Sequence, residues 1–258
     1  GDLLVCGTTV VEGTDGKDYY LLKLDANGNL LWEKKYGGSG YDYAKALIET
    51  PEKNIIITGE CWSQDGDVEG HHGSDYSDVW TIMVDSVGNI IWQNSLGGTG
   101  ADIGKDLVVS SDNSILIIGY TSSNDGDVTG HHGSIFYSDY WVVKLDKNGV
   151  LKWQKCLGGS MEEAALKSIG FTPDGGYMIG GVTFSNDGDV SGNHGGADIW
   201  VVKLSSTGTI QWQKCLGGSN EDRPRTIIST SDGGYLVGGQ TYSTNGNVTI
   251  NNGLSDIW

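Results

Sequence analysis

The sequence predicts an all-β fold built from repeated four-stranded antiparallel sheets, and three observations carry this prediction. One hairpin pattern recurs along the chain, and its second tryptophan falls at Trp32, Trp92, Trp153 and Trp212, a period of 59 to 61 residues. The chain has 42 glycines against only 3 prolines, which indicates many tight turns and therefore many short strands. No segment shows a sustained helical period. A constant period of this length indicates a repeat architecture.

Each period contains four predicted strands, which the third complete copy shows in order. The first two strands, 166–171 and 177–183, flank a Thr-Pro-Asp-Gly-Gly turn. A long loop then leads to the third strand, 198–204, and a Ser-Ser-Thr-Gly turn leads to the fourth, 210–216. Runs of β-branched and aromatic residues between Gly-, Asn- and Asp-rich connections favour strands over helices.

Sheets that no helix covers must bury their faces against one another, and radial stacking in a β-propeller achieves this. A linear β-solenoid is the alternative, but its coils are shorter and lack paired hairpins. We therefore expect one β-propeller domain, or a piece of a larger propeller, because the chain opens on a second strand and closes in a third one. The predicted divisions are a partial blade at 1–38, complete blades at 39–98, 99–159 and 160–218, and a partial blade at 219–258.

Charge and hydropathy argue against two classes of partner. The formal net charge is −17 with only 16 lysines and arginines, so the chain lacks the basic stripe that nucleic acids require. No stretch approaches the roughly 20 apolar residues of a membrane span, so we expect no membrane insertion. The oligomeric state stays open.

Three recurring strings resemble the β-propeller repeats of bacterial secreted and surface proteins, which are abundant in Bacteroidetes. They are Asp-x-Trp-Val-Val-Lys-Leu-Asp-x-x-Gly-x-Leu-x-Trp-Gln-Lys-x-Leu-Gly-Gly-Ser, Thr-x-Asp-Gly-Gly-Tyr-x-x-Gly-Gly and Asn-Asp-Gly-Asp-Val-x-Gly-x-His-Gly. The resemblance covers essentially the whole chain and implies a secreted or cell-surface location. The first copy departs from it, because its long loop shrinks to residues 12–17 and Tyr20 replaces the first tryptophan.

Residues 24–32 are also similar, more weakly, to the tryptophan-docking motif of quinoprotein-type propellers, in which the tryptophan packs between blades. No adjacent cysteine pair accompanies the motif. We therefore expect no organic cofactor.

The loop between the second and third strands carries the strongest candidates for chemistry. In the second complete copy, oxygen-bearing side chains alternate at Ser123, Asp125, Asp127 and Thr129. Such alternation around a glycine is how a short loop converges oxygens on a hard cation such as Ca²⁺. The alternative is a turn in which the Asp side chains bind their own backbone. The predicted metal ligands are Asp65, Asp67, Asp125, Asp127, Asp187 and Asp189.

All five histidines lie in the same loop. Zinc needs three or four convergent ligands, whereas the copies sit on different blades, so we expect solvated loop histidines. The regularly placed tryptophans indicate packing between blades rather than sugar platforms. Trp62 belongs to no repeated position and is the expected exposed exception. The predicted ligand-binding residues are Trp62, His71, His131 and His194.

Acidic residues also recur five residues after the first glycine of each Gly-Gly-Ser/Thr turn and just before the tryptophan of the third strand. They are either ligand carboxylates on the rim or acceptors of backbone N–H groups from the incoming loop, and we favour the second role. The residues are Asp42, Asp102, Glu163 and Asp222 after the turn, and Asp78, Asp139, Asp198 and Asp256 at the third strand.

The near symmetry of the copies predicts a binding or scaffold module, since one reaction needs one asymmetric constellation. No nucleophile elbow, HExxH, P-loop or isolated carboxylate pair breaks the repeat. We expect a non-enzymatic extracellular module whose acidic loop face binds a glycan or a protein in a calcium-dependent manner. The alternatives are a glycan-active propeller hydrolase or lyase, and a purely structural segment of a long adhesin or filament.

Overall fold

The computed structural model describes residues 1–11, 13, 16–230, 232 and 234–258, so the shortened loop of the first copy lies partly outside the described residues. All 18 elements in the described residues are β-strands. The strands are β1 Leu3–Val10, β2 Lys17–Leu24, β3 Leu30–Tyr36, β4 Asp42–Glu49, β5 Ile55–Cys61, β6 Asp78–Val84, β7 Ile90–Leu96, β8 Asp102–Val109, β9 Ile115–Thr121, β10 Asp139–Leu145, β11 Leu151–Leu157, β12 Glu163–Phe171, β13 Tyr177–Thr183, β14 Asp198–Leu204, β15 Ile210–Leu216, β16 Asp222–Ser229, β17 Tyr235–Thr241 and β18 Asp256–Ile257. The described residues contain no helix that is long and apolar enough to cross a membrane.

The strands form five antiparallel sheets in which chain neighbours are sheet neighbours. Three sheets have four strands, β4-β5-β6-β7, β8-β9-β10-β11 and β12-β13-β14-β15, and two have three, β1-β2-β3 and β16-β17-β18. This arrangement confirms the predicted fold class, an all-β chain of β-propeller blades. The chain divides into two compact units. The first unit comprises residues 1–117, 123–127 and 145–151, and the second comprises 118–122, 128–144 and 152–258. The blade boundaries expected from the repeat stay a prediction.

The strands of the third complete copy lie close to their predicted positions. β13, β14 and β15 coincide with the predicted ranges, whereas β12 begins at Glu163 instead of residue 166. Glu163 pairs with Thr183 at the end of β13, and the Thr183 hydroxyl donates a 2.6 Å hydrogen bond to its carboxylate. A polar side-chain contact therefore lengthens a strand whose apolar pattern starts later.

In the first unit, the core between the first two sheets centres on Tyr19 and Trp80. Both side chains are fully buried, and their ring centroids lie 4.6 Å apart. The Tyr19 hydroxyl donates to the Trp80 carbonyl oxygen at 2.9 Å, and Trp80 Nε1 donates to Gln93 Oε1 at 2.9 Å. Buried aromatic residues need such partners for their polar atoms, and here both are satisfied.

The second unit repeats this packing with Tyr140 and Trp200, whose ring centroids lie 4.8 Å apart. Trp200 Nε1 donates to Gln213 Oε1 at 2.8 Å. The packing role predicted for the first tryptophan of each repeat is therefore confirmed. The second tryptophan is less buried than expected, because Trp212 is 37% exposed and meets Tyr235 of the next sheet only at its edge, with centroids 6.2 Å apart.

Truncation of Trp200 is expected to destabilise the chain far more than truncation of Trp212. Trp200→Ala removes a fully buried side chain and costs about 3–5 kcal/mol. Trp212→Ala, the matched control on the neighbouring strand, costs about 1 kcal/mol. Urea denaturation followed by circular dichroism measures both losses. Equal losses would contradict the placement of Trp200 in the core.

Candidate functional site

The long loop of each copy is bound to the Gly-Gly turn that precedes it in the chain. In the first unit, Asp125 Oδ1 accepts a hydrogen bond from the Thr99 backbone N at 2.7 Å. Asp127 Oδ2 accepts one from the Gly97 N at 3.3 Å, and the Asp127 N donates to the Gly97 carbonyl at 2.8 Å. The other copies repeat the first bond from Ser39 to Asp65 at 2.7 Å and from Ser160 to Asp187 at 2.8 Å.

The last copy shows that this contact does not need charge. Asn245 Oδ1 accepts from the Ser219 N at 2.8 Å, and Asn247 Oδ1 accepts from the Gly217 N at 3.3 Å. In the charged copies the backbone hydrogen bond is the main cause that lowers the pKa of Asp125. All copies thus share an Asp or Asn side-chain oxygen in the loop, which accepts a backbone N–H group and fixes the Gly-Gly turn.

Each of the six aspartates predicted to bind calcium has one oxygen that accepts a backbone N–H group of the adjoining Gly-Gly turn. The described residues contain no group of three or more histidine, cysteine, aspartate or glutamate side chains placed to hold a metal. Calcium binding by these loops stays a prediction.

One histidine of each complete loop pairs with the carboxylate at the start of the third strand. His72 Nδ1 lies 2.8 Å from Asp78 Oδ2, and the His72 backbone N donates to the same oxygen at 2.8 Å. Asp78 is fully buried, and the predicted acceptor role of this carboxylate is confirmed. The expectation of solvated histidines is wrong for these residues. The equivalent pairs, both at 2.7 Å, are His132 with Asp139 and His194 with Asp198.

The three histidines predicted to bind a ligand do not share one position of the repeat. His71 precedes the paired His72, and its Nε2 lies 3.2 Å from the Cys61 carbonyl oxygen. His131 has the same place in its loop, but Asn193 has it in the third copy, so His194 corresponds to His72 instead. The predicted set therefore combines two different positions of the repeat. Ligand binding by these residues stays a prediction.

The carboxylates at the start of the first strand are buried acceptors as well. Asp102 Oδ2 accepts from the Gly98 N at 2.8 Å and from Ser123 Oγ at 2.7 Å. This confirms the role predicted for them. Burial, the largest influence, raises the pKa of Asp42 and of Glu163 in spite of such bonds. Equivalent backbone bonds run from Gly38 to Asp42, from Gly159 to Glu163 and from Gly218 to Asp222, at 3.0, 2.8 and 2.8 Å.

One cluster in the first unit breaks the symmetry of the copies, and we call it the aromatic–lysine patch. Its members are Lys17, Tyr41, Tyr43, Lys45, Glu60 and Trp62. Tyr41 and Trp62 are 43% and 40% exposed, and the Trp62 backbone N donates to the Tyr41 carbonyl at 3.0 Å. The rings of Tyr41 and Tyr43 are nearly parallel, with centroids 6.4 Å apart. The patch therefore presents exposed aromatic surface at the start of β4.

Two lysines and one carboxylate surround the Tyr43 ring. Lys17 Nζ and Lys45 Nζ lie 5.1 and 5.0 Å from its centroid, which are cation–π distances. Lys17 Nζ is also 3.4 Å from the Tyr43 hydroxyl. Lys45 Nζ forms a 2.8 Å ion pair with Glu60, which is a buried residue. Exposed rings, a phenol, two ammonium groups and a carboxylate thus lie together.

No other copy carries this set of residues. Trp62 itself does occupy a repeated position, contrary to the prediction, because the backbone N atoms of Phe184 and Tyr242 make the equivalent hydrogen bonds. Its neighbours are what differ. The residues equivalent to Tyr41 are Ala101, Glu162 and Glu221, and those equivalent to Tyr43 are Ile103, Ala164 and Arg223.

Comparison with known sequences gives no family for the chain. No family model matches. The regulatory protein FlaEY of Caulobacter vibrioides is 30% identical over 194 residues, which are 72% of this chain and 20% of that protein. An uncharacterized WD repeat-containing protein of Acanthamoeba polyphaga mimivirus is 20% identical over 287 residues, which cover 85% of this chain and 21% of that one. The chain thus spans about a fifth of the length of these relatives. The resemblance to Bacteroidetes surface repeats is not confirmed.

Several solved structures that resemble the chain are enzymes. A gluconolactonase from Xanthomonas campestris has a TM-score of 0.44 and 11% identity, covering 90% of this chain and 68% of that one. A calcium-free GH43 β-xylosidase/α-arabinofuranosidase from a compost microbial metagenome has a TM-score of 0.42 and 10% identity, covering 100% and 86%. A glucose dehydrogenase has a TM-score of 0.38 and 11% identity, covering 93% and 94%. These comparisons contradict the prediction that the chain is not an enzyme, which is withdrawn. They assign it no substrate and no catalytic residue.

The stability of the first unit is expected to depend on pH through His72. Desolvation is the largest influence and lowers the pKa of His72. The hydrogen bond and charge of Asp78, together with the charges of Asp127 and Asp102, outweigh it, so that the pKa is raised above 6.5. Because the folded-state pKa is raised, protonated His72 contributes to the free energy of unfolding. This contribution is complete below pH 6.5 and is lost as the pH rises through the folded-state pKa. NMR titration of the ring should give a pKa above 6.5.

The matched variant is His72→Asn, which copies Asn252 of the last repeat. Its melting temperature should lack the decline that the wild type shows across this pH range. An unchanged decline would show that another group causes it.

Asp125→Asn is expected to keep the melting temperature of the wild type, because Asn245 makes the same bond in the last copy. Asp125→Ala removes the acceptor and should lower the melting temperature by about 2–4 °C. Differential scanning calorimetry with and without millimolar calcium measures both. A calcium-dependent rise in the wild type that is lost in Asp127→Asn would establish the predicted metal site.

Proposed function

We propose that the chain is part of a glycan-active enzyme and that it binds a sugar chain at the aromatic–lysine patch. The observation that carries this proposal is the asymmetry of the patch. The other polar clusters recur from copy to copy with the same hydrogen bonds, so their chemistry is explained by the fold. The patch occurs once, as a site for one reaction requires.

The shape and chemistry of the patch favour a sugar over a protein as the partner. Tyr41 and Trp62 present ring surface, and a sugar ring has an apolar C–H face that packs against such surface. The groups around them are charged or hydroxylic rather than apolar, which suits the hydroxyl rim of a saccharide. A glycan partner and an extracellular location are both part of the proposal, and the location rests on the resemblance to surface repeats.

Two pairs of side chains in the patch are suited to proton transfer. Glu60 lies beside Lys45 and the Tyr43 hydroxyl lies beside Lys17, so each proton-transfer group has a cation next to it. Hydrolysis by a pair of carboxylates needs a second acid flanking the scissile bond. Asp42 is fully buried, and backbone N–H groups and Ser63 occupy its oxygens. Glu60 is the carboxylate that belongs to the patch, where it contacts Lys45 Nζ at 2.8 Å and Ser77 Oγ at 3.3 Å, so its loss should matter most for turnover.

Trp62→Ala is expected to lower affinity for the bound glycan about tenfold, because a buried aromatic contact contributes more than about 1 kcal/mol. Binding is measured on an oligosaccharide panel by calorimetry, and turnover by release of new reducing ends. Tyr242→Ala, at the equivalent position of the last copy, is the matched control and should bind as the wild type does.

Glu60→Gln should retain binding and lose turnover. A panel with neither binding nor turnover would overturn the proposal. An equal loss of affinity in Tyr242→Ala would show that the site is elsewhere.

A further inference from the structure

Among the described residues, Lys17 is held in the patch by aromatic contacts rather than by a carboxylate. Its Nζ lies 5.1 Å from the Tyr43 ring centroid and 5.9 Å from that of Tyr41. The Tyr43 hydroxyl, at 3.4 Å, takes one of the three N–H donors of the ammonium group. The backbone is fixed as well, because the Lys17 N donates to the Gly40 carbonyl at 2.9 Å and Lys17 forms a β-bridge with Tyr41. The ammonium group of Lys17 is therefore fixed in position and keeps N–H donors that the Tyr43 hydroxyl does not use.

The other cation of the patch is neutralised. Lys45 has Glu60 at 2.8 Å, so the two charges cancel. Within the part of the chain that the structure describes, Lys17 has no carboxylate at ion-pair distance. Lys17 thus faces two rings, although acidic residues outnumber basic ones by 33 to 16 in this chain.

We propose that the glycan bound at the patch is acidic and that its anionic group, a uronate carboxylate or a sulfate ester, pairs with Lys17 Nζ. This inference rests on the proposed function. The sugar ring lies on Tyr41 and Trp62, and the anion on the ring accepts the remaining N–H donors of the ammonium group. The net charge of −17 repels anions at long range, so an acidic sugar needs a local cation, and Lys17 supplies it.

The test compares acidic oligosaccharides with neutral partners of the same backbone. Oligogalacturonate is paired with its methyl ester, and oligomannuronate and oligoguluronate are paired with their carboxyl-reduced forms. Sulfated oligosaccharides and their desulfated forms make the other arm. Calorimetry with the whole 258-residue chain should show about fivefold tighter binding of the acidic member, the effect of one partly exposed ion pair. The preference should shrink with added salt.

Lys17→Met keeps much of the stem and should abolish the preference for the acidic member of each pair. Lys17→Arg should restore the preference. Lys34→Met, at a lysine outside the patch, is the matched control, and a melting temperature equal to the wild type confirms that each variant folds.

The outcomes separate the two proposals. Preference for uronates or for sulfate esters that Lys17→Met removes supports the inference and identifies the anionic group. Equal affinity for acidic and neutral members overturns the inference and leaves the proposed function intact. Absence of binding by every member overturns the proposed function itself.

Discussion

Two buried carboxylates placed around one glycine organise the loop end of each complete blade. A Cβ atom added to Gly97 would lie 2.5 Å from Asp102 Oδ2 and 2.7 Å from Asp78 Oδ1, so no other residue fits between the two side chains. Each carboxylate collects backbone N–H groups of an irregular segment, which would otherwise be left without partners when the loop packs down. The arrangement has a cost. Among the described residues, the inner Oδ1 atoms of Asp78, Asp139 and Asp198 have no hydrogen-bond partner, and burial raises the pKa of Asp139 and Asp198.

This constraint explains why so much acidic chemistry in the chain carries no function of its own. A buried carboxylate that accepts N–H groups recurs wherever the loop recurs, and a histidine pairs with it in the three complete copies. In the loop itself, the last copy keeps the bond to the Gly-Gly turn with Asn245 at the position of Asp125, so at that position the oxygen matters more than the charge. Repetition in such a protein therefore identifies structural residues, and a search for function is best directed at the positions where the copies differ.

The periodicity of the sequence was enough to predict the strands, the packing of Trp80 and Trp200 and the acceptor role of the repeated aspartates. Each of these depends on local pattern and on the rule that buried polar groups need partners. The pairing of His72 with Asp78 could not be predicted from the sequence, because it depends on the path of an irregular loop. The patch was missed for a different reason. Its aromatic residues are visible in the sequence, but only a position-by-position comparison of the copies at the start of the first strand separates Tyr41 and Tyr43 from the repeat.

The aromatic–lysine patch lies beside the copy whose long loop is shortened. In a complete copy of the first unit, the long loop packs on the Gly-Gly-Thr-Gly turn, where a Cβ added to Gly73 would lie 3.7 Å from Thr99 Cα. The first copy has no room in its sequence for such a loop, whereas the backbone bond at the start of the strand is kept, because the Lys17 N donates to the Gly40 carbonyl oxygen. Tyr41 and Trp62 are 43% and 40% exposed at this place. The asymmetric patch therefore occurs where the repeat is least regular, since a position that the repeated loop does not constrain can carry other side chains.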